Sequence, residues 1–222
     1  MHACHFCGKK TEDAKRCGRC QIIMYCSRDC QKTHWKASHK QNCNPHPSVD
    51  ITGRTKPAPE PGSKAYHDLE MDLHLQKWIQ LWLDALGRFA VMAFDLTNHG
   101  PERSTTHCLY ISVRRRIPLP KEKIRHYYVT HASLETIADM DIRFPELGGI
   151  VNEPTDQNML RYLIALGDQH NRLHRVRCIT CKVDTIKWRA DHSKKESSIL
   201  AGIAVEVLVG SLEGLTPDVF ST

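Results

Sequence analysis

The sequence predicts a small metal-stabilised finger followed by an α+β domain with an antiparallel sheet and several helices. Three observations predict it. Seven of the ten cysteines crowd into residues 4–43. Five prolines between Pro45 and Pro61 deny residues 44–63 helix or central strand. From Lys64 onward a helical stripe gives way to segments of alternating polarity.

The finger is read from ligand chemistry. Cys4, Cys7, Cys17, Cys20, Cys26, Cys30, His39 and Cys43 form two C-x2-C pairs, one C-x3-C pair and one H-x3-C pair. Eight thiolate and imidazole groups make two complete tetrahedral sites, the ligand set zinc prefers. A C-x2-C turn places two sulfurs on one ion, and His39 and Cys43, four apart, share one helix face. With no spare position for water, the metal reads as structural. A disulfide framework fits worse: seven cysteines is an odd number, and Met1 runs straight into the first ligand pair with no apolar leader, so the chain reads as intracellular. His2, His5 and His34 are surplus to two filled sites. His34 is expected beside Trp35 on the helix surface.

This run resembles the MYND-type zinc finger, on the two C-x2-C pairs and on Tyr25-Cys26-Ser27, Cys30-Gln31, Trp35 and His39-Lys40 before Cys43. The resemblance covers residues 4–43 and implies two zinc ions held by crossed ligation: Cys4, Cys7, Cys26 and Cys30 on one, Cys17, Cys20, His39 and Cys43 on the other. It also implies a face for peptide segments, often proline-containing, framed by Tyr25, Gln31 and Trp35 on or beside a Gln31–Gln41 helix.

The totals bound the rest. At 222 residues there is room for one hydrophobic core besides the finger. About 40 residues bury too little apolar surface to fold alone, and structural zinc supplies on the order of 10–16 kcal/mol in its place. Residues 1–43 hold nine Lys or Arg and three Asp or Glu, so the whole formal excess of +6 lies there, against twenty-two of each in the remainder. Seven thiolates and two zinc ions bring the loaded finger to about +3, a weak footprint for nucleic acid. No apolar run approaches the roughly 18–20 residues that span a bilayer, so no membrane partner is expected.

Residues 44–63 read as a semi-stiff linker, extended at Pro57-Ala58-Pro59-Glu60-Pro61, and 64–222 as the α+β domain. The first helix runs from about Lys64 to Leu96, with Leu75, Trp78, Ile79, Trp82, Leu86, Phe89, Ala90 and Ala93 on one stripe and a bend at Gly87. Asn98-His99-Gly100-Pro101 stops it. Thr106–Val113 alternates as a strand, with His107, Leu109, Ile111 and Val113 on one side and Cys108, Tyr110 and Ser112 on the other, and ends in Arg114-Arg115-Arg116. A second strand is expected near Ile124–Ala132, then a short helix capped by Ser133 and reaching Met140. Thr155 or Asp156 is expected to cap a helix containing Met159, Leu160, Leu163, Ile164 and Leu166. A strand over Leu173–Ile186 and a helix within Ile199–Leu215 complete the domain.

No catalytic residue is nominated. Cys178 and Cys181, with His170 and His174 nearby, offer a third metal or redox site, but strand geometry points residues i and i+3 to opposite faces. Lysine methyltransferases that join a SET domain to this finger are the enzyme alternative. Here SET sequence does not precede the finger, Asn98-His99-Gly100 matches only a fragment of their second signature, and the third is missing. No Walker loop, G-x-S-x-G or H-E-x-x-H is present. The sequence therefore reads as a zinc-binding interaction module that is not an enzyme, with a nucleic-acid-binding regulator as a further alternative.

Overall fold

In the computed structural model, residues 2–40, 43, 46, 48, 54–145, 158–167, 173–183, 188 and 190–211 are described. The chain opens with two knuckles built alike. Strand β1 (His2–Ala3) pairs antiparallel with β2 (Lys10–Thr11), and β3 (Lys15–Arg16) with β4 (Met24–Tyr25). In the first, Gly8 N donates to Cys4 O (2.8 Å); in the second, Gln21 N donates to Cys17 O (2.8 Å). Both closing residues have positive φ, 75° at Gly8 and 56° at Gln21, the conformation that tightens the turn around a C-x2-C pair. Helix α1 (Arg28–His34) starts at Ser27, whose Oγ accepts from Cys30 N (3.1 Å). It continues as a π-helical turn over Trp35–His39.

Helix α2 (Lys64–Phe94) is capped by Ser63, whose side chain accepts from Tyr66 N. Every residue of the predicted stripe is buried. The helix passes through Gly87 unbroken and ends one step before Asp95, which takes the left-handed conformation at φ 45°. Asn98 and Gly100 belong instead to the short helix that follows, α3 (Leu96–His99), and its cap. A further turn, α4 (Arg103–Thr106), leads into the sheet.

The sheet has four strands in the order β6-β5-β7-β8, with β5 His107–Arg115, β6 Tyr127–Thr136, β7 Met159–Gly167 and β8 Leu173–Lys182. It is mixed: β5 runs parallel to β7, and the other two pairs are antiparallel. A register shift opposite Ser112 and Val113 puts Val129 and Ala132 on the same apolar face despite their odd spacing. That face, with Leu109, Ile111, Val113, Leu160, Tyr162, Ile164, Leu166 and Ile179, packs in one core with α2 and with Ala204 and Leu208 of α6 (Lys194–Ser211). The opposite face carries Cys108, Leu163 and Cys178 under Met140 of α5 (Ile137–Arg143).

Two further expectations are corrected. Residues 159–167 are a central strand, not a helix, and 159–166 are all buried. A strand covered on both faces reads as a continuous apolar run, which periodicity does not separate from a buried helix. The proposed caps Thr155 and Asp156 lie outside the described residues. The cap of α5 is Thr136, accepting from Asp139 N (3.0 Å), while Ser133 lies within β6. Lys56 N donates to Ser48 O (2.9 Å), and the prolines from Pro57 to Pro59 lie near Ala65 and Leu69 of α2. The earlier part of the predicted linker is largely outside the described residues.

The finger shares the main core. Ile22 and Ile23 are buried in it, together with Cys4, Cys17, Cys20 and Cys43. Gln76 Nε2 donates to Cys20 O (2.6 Å) and Gln80 Nε2 to Gln21 O (2.7 Å), so one face of α2 satisfies two knuckle carbonyls. Ile22, Ile23 and His39 face Cys178, Ile179 and Thr180 of β8, which places the finger against the edge strand of the sheet.

Candidate metal centre

The knuckles and helix α1 bring the eight predicted residues into two groups. In each, the ligand atoms lie within 4.8 Å of one another: Cys4, Cys7, Cys26 and Cys30 in the first, Cys17, Cys20, His39 and Cys43 in the second. The distances decide what fits. In the first group Cys7 Sγ and Cys26 Sγ are 3.5 Å apart, and Cys26 Sγ and Cys30 Sγ 3.6 Å. In the second, Cys17 Sγ and Cys43 Sγ are 3.8 Å apart, and Cys20 Sγ and His39 Nε2 3.6 Å. A tetrahedron with Zn–S near 2.3 Å and Zn–N near 2.05 Å has edges of about 3.8 Å between sulfurs and about 3.6 Å from sulfur to nitrogen. Disulfide sulfurs would sit about 2.05 Å apart, and all ten cysteines are free thiols. Both groups fit zinc, with ligands alternating along the chain. Among the described residues these are the two such clusters.

The electrostatics ask for a cation. Hydrogen bonds from the Cys20 and Cys43 thiols push the Cys17 thiol far down. Cys43, beside that thiolate and Cys20, is pushed far up. Four close sulfur and nitrogen ligands hold protons in common until a divalent ion replaces them. Burial alone would lower the His39 imidazole; hydrogen bonds to Cys17 and Cys20 instead raise it to about 9.

The two sites differ in access. All four ligands of the second are buried, whereas in the first Cys7 is exposed and Cys26 and Cys30 are half-buried. Three thiolates and one imidazole around zinc carry one net negative charge, and the second site has a nearby cation. Arg177 of β8 is 8% exposed and lies 3.5 Å from Asp72 Oδ1; burial lowers its guanidinium, and Asp72, with a smaller contribution from the Cys20 sulfur, opposes that. Arg175 Nε holds the same carboxylate oxygen at 2.9 Å.

The remaining candidates separate clearly. Tyr25 is 1% exposed, so its ring packs inside the finger and reaches no partner. Gln31 and Trp35 are half-exposed, and the Arg19 guanidinium lies 5.9 Å from the centre of the Trp35 ring. His34, expected on the surface, is fully buried. Its Nδ1 is 3.0 Å from Tyr25 Oη, and its ring stacks on His39. His5 is no ligand either: its Nδ1 accepts from Met24 N at 3.5 Å. The side chain of His2 is outside the described set. Cys178 packs with Cys108 and Leu163 on one face of the sheet, while Cys181 packs with the core on the other, near Gly87. His170 and the His174 side chain lie outside the described residues. Asn98 Nδ2 donates to Asp95 Oδ1 (2.8 Å) and Lys194 O (2.9 Å), tying α3 to α6. The Gln76, Gln80 and Arg177 contacts escaped sequence reasoning because each joins elements more than fifty residues apart.

Residues 4–43 match the MYND finger family model. Over 47 residues the chain is 45% identical to ubiquitin carboxyl-terminal hydrolase 19 of Arabidopsis thaliana, covering 21% of this chain and 7% of that protein. It is 46% identical over 41 residues to histone-lysine N-methyltransferase SMYD1 of Homo sapiens, covering 18% and 8%. To N-lysine methyltransferase SMYD2 of Sus scrofa it is 32% identical over 90 residues, covering 33% and 21%. The chain thus spans about a fifth or less of the length of these relatives. No solved structure matches. The N-terminal unit is a MYND-type zinc finger, a protein-interaction module with two metal clusters.

Proposed function

We propose that the protein is an intracellular adapter or regulatory protein whose finger binds proline-containing peptide segments. Cys4, Cys7, Cys26 and Cys30 hold one zinc; Cys17, Cys20, His39 and Cys43 hold the other. Gln31, within α1, and Trp35, at its C-terminal end, provide the contact face. Residues 1–43 form the finger, 44–63 the linker and 64–222 the α+β domain that carries it. The observation that supports this reading most is the closure of both tetrahedra. Four protein ligand atoms converge on each site, so a zinc ion held there would have no position left for water or substrate; it would rigidify a surface and take no part in bond making. Affinity then comes from preorganisation.

The test is calorimetric titration of the zinc-loaded chain with a proline-containing peptide. Binding is expected, with loss on chelation and at least a tenfold loss in Trp35→Ala at unchanged zinc content. Binding that survives both would refute the reading.

The likeness to SMYD2, which runs longer than the finger itself, favours one competitor, a methyltransferase. Titration with S-adenosylmethionine separates the two. The adapter reading predicts no binding heat, and saturable binding would replace it.

A further inference from the structure

The connection between β5 and β6 gathers basic and apolar residues. Arg114, Arg115 and Arg116 lie on one side of it and Lys121, Lys123 and Arg125 on the other. Glu122 is the one acid between residues 114 and 126. The rest of residues 44–222 holds sixteen bases against twenty-one acids, so this loop is the positive pole of an otherwise acidic region. Lys121, Lys123 and Arg125 are exposed. Among the described residues no carboxylate forms an ion pair with Arg115, Lys121 or Lys123.

Between the two basic groups stands Ile117-Pro118-Leu119-Pro120. Ile117 is 74% exposed, Pro118 is exposed, and Leu119 and Pro120 are half-buried. Ile117 and Pro118 thus form a small exposed apolar tip set between cations. The base of the loop is held firmly: Arg116 N donates to His126 O (2.9 Å), Trp82 Nε1 to Ile124 O (3.0 Å) and Tyr127 Oη to Met71 O (3.0 Å). The Arg116 guanidinium lies 4.9 Å from the centre of the Tyr128 ring, which sets an amphipathic aromatic beside the cations.

We propose that this hairpin attaches the protein peripherally to an anionic lipid surface. Ile117 and Pro118 enter the headgroup layer, and Arg116, Lys121, Lys123 and Arg125 face the lipid charges. Clustered cations suit any polyanion; the apolar tip selects lipid. An aliphatic side chain held out in water gains little along a phosphate backbone, but leaves water in a bilayer interface. Weak apolar insertion together with a polybasic patch supplies the two signals that peripheral attachment needs. No described helix is long and apolar enough to cross the membrane, so the contact is a surface one.

Flotation of the full zinc-loaded chain with vesicles tests it, comparing phosphatidylcholine alone with phosphatidylcholine plus phosphatidylserine. Binding is expected only to the anionic vesicles. The variant Lys121→Gln/Lys123→Gln/Arg125→Gln should lower it about a hundredfold, at about fivefold per cation, and Ile117→Ser by about tenfold. Both variants change exposed positions, and their melting and zinc content should stay unchanged. Vesicle binding indifferent to Ile117→Ser would overturn the proposal, as would no vesicle binding at all. Binding of an oligouridylate in place of vesicles, lost in the triple variant but kept in Ile117→Ser, would overturn it in favour of nucleic acid.

Discussion

The imidazole of His34 stacks on that of His39, with ring centroids 5.2 Å apart and 20° between planes. His39 belongs to the second metal cluster and His34 does not. The π-helical turn from Trp35 to His39 brings two histidines five apart onto one face, so the inner ring buttresses the ligand. Burial holds the Tyr25 phenol protonated, and its hydroxyl shares a hydrogen bond with His34 Nδ1. His34→Ala should therefore keep both zinc ions, while losing about 2 kcal/mol from the cavity and the broken buried hydrogen bond. Metal analysis and denaturant unfolding check the two halves; loss of one ion would make His34 a ligand.

The seam between finger and α2 rests on polar pairing as well as on Ile22 and Ile23. Gln76→Ala removes the donor that satisfies Cys20 O and should cost about 1 kcal/mol. Gln80→Ala should cost somewhat less, because its bond is only half-buried. Thermal melting of the full chain should fall in both, with two zinc ions retained. An unchanged melt in Gln76→Ala would show that the seam is not held this way.

Asp72 is the anchor for two arginines of β8. It is 6% exposed and Arg177 is 8% exposed. Asp72→Asn leaves the Arg177 charge buried with only the metal site for a counter-charge, and should cost about 3 kcal/mol. Asp72→Leu combined with Arg177→Met should recover most of that loss, because the desolvation cost disappears with the charges. If denaturant unfolding finds the double variant no better than Asp72→Asn, the pair is not the cause.

The unequal exposure of the two clusters gives a kinetic prediction. A chelator titration followed with a zinc indicator should release one ion before the other. Alkylation with mass-spectrometric mapping should mark Cys7, Cys26 and Cys30 in the early phase and Cys17, Cys20 and Cys43 in the late one. A single phase, or early marking of the buried cysteines, would contradict the assignment of access.

The ligand pairs were legible because metal chemistry leaves its spacing in the sequence: the two C-x2-C pairs, Cys26 with Cys30, and His39 with Cys43 need only local geometry, whereas which pairs share an ion was implied by the family resemblance alone. The helix of Trp78 and Trp82 was legible for a similar reason, since one face against a core leaves a stripe. Residues 159–167 were not, because a strand covered on both faces loses its alternation. His34 was misplaced because its burial depends on a tertiary partner, Tyr25, and on a π turn that no local residue preference announces. Gln76 and Arg177 read as polar surface until Cys20 and Asp72 are placed beside them.

Bound zinc per 222-residue chain, measured by native mass spectrometry for the wild type, Cys7→Ala and Cys20→Ala, tests the central claim most directly. Two ions in the wild type and at most one in each variant are predicted. One ion, three ions, or two ions retained in Cys20→Ala would contradict the pair of closed four-ligand sites on which the account rests.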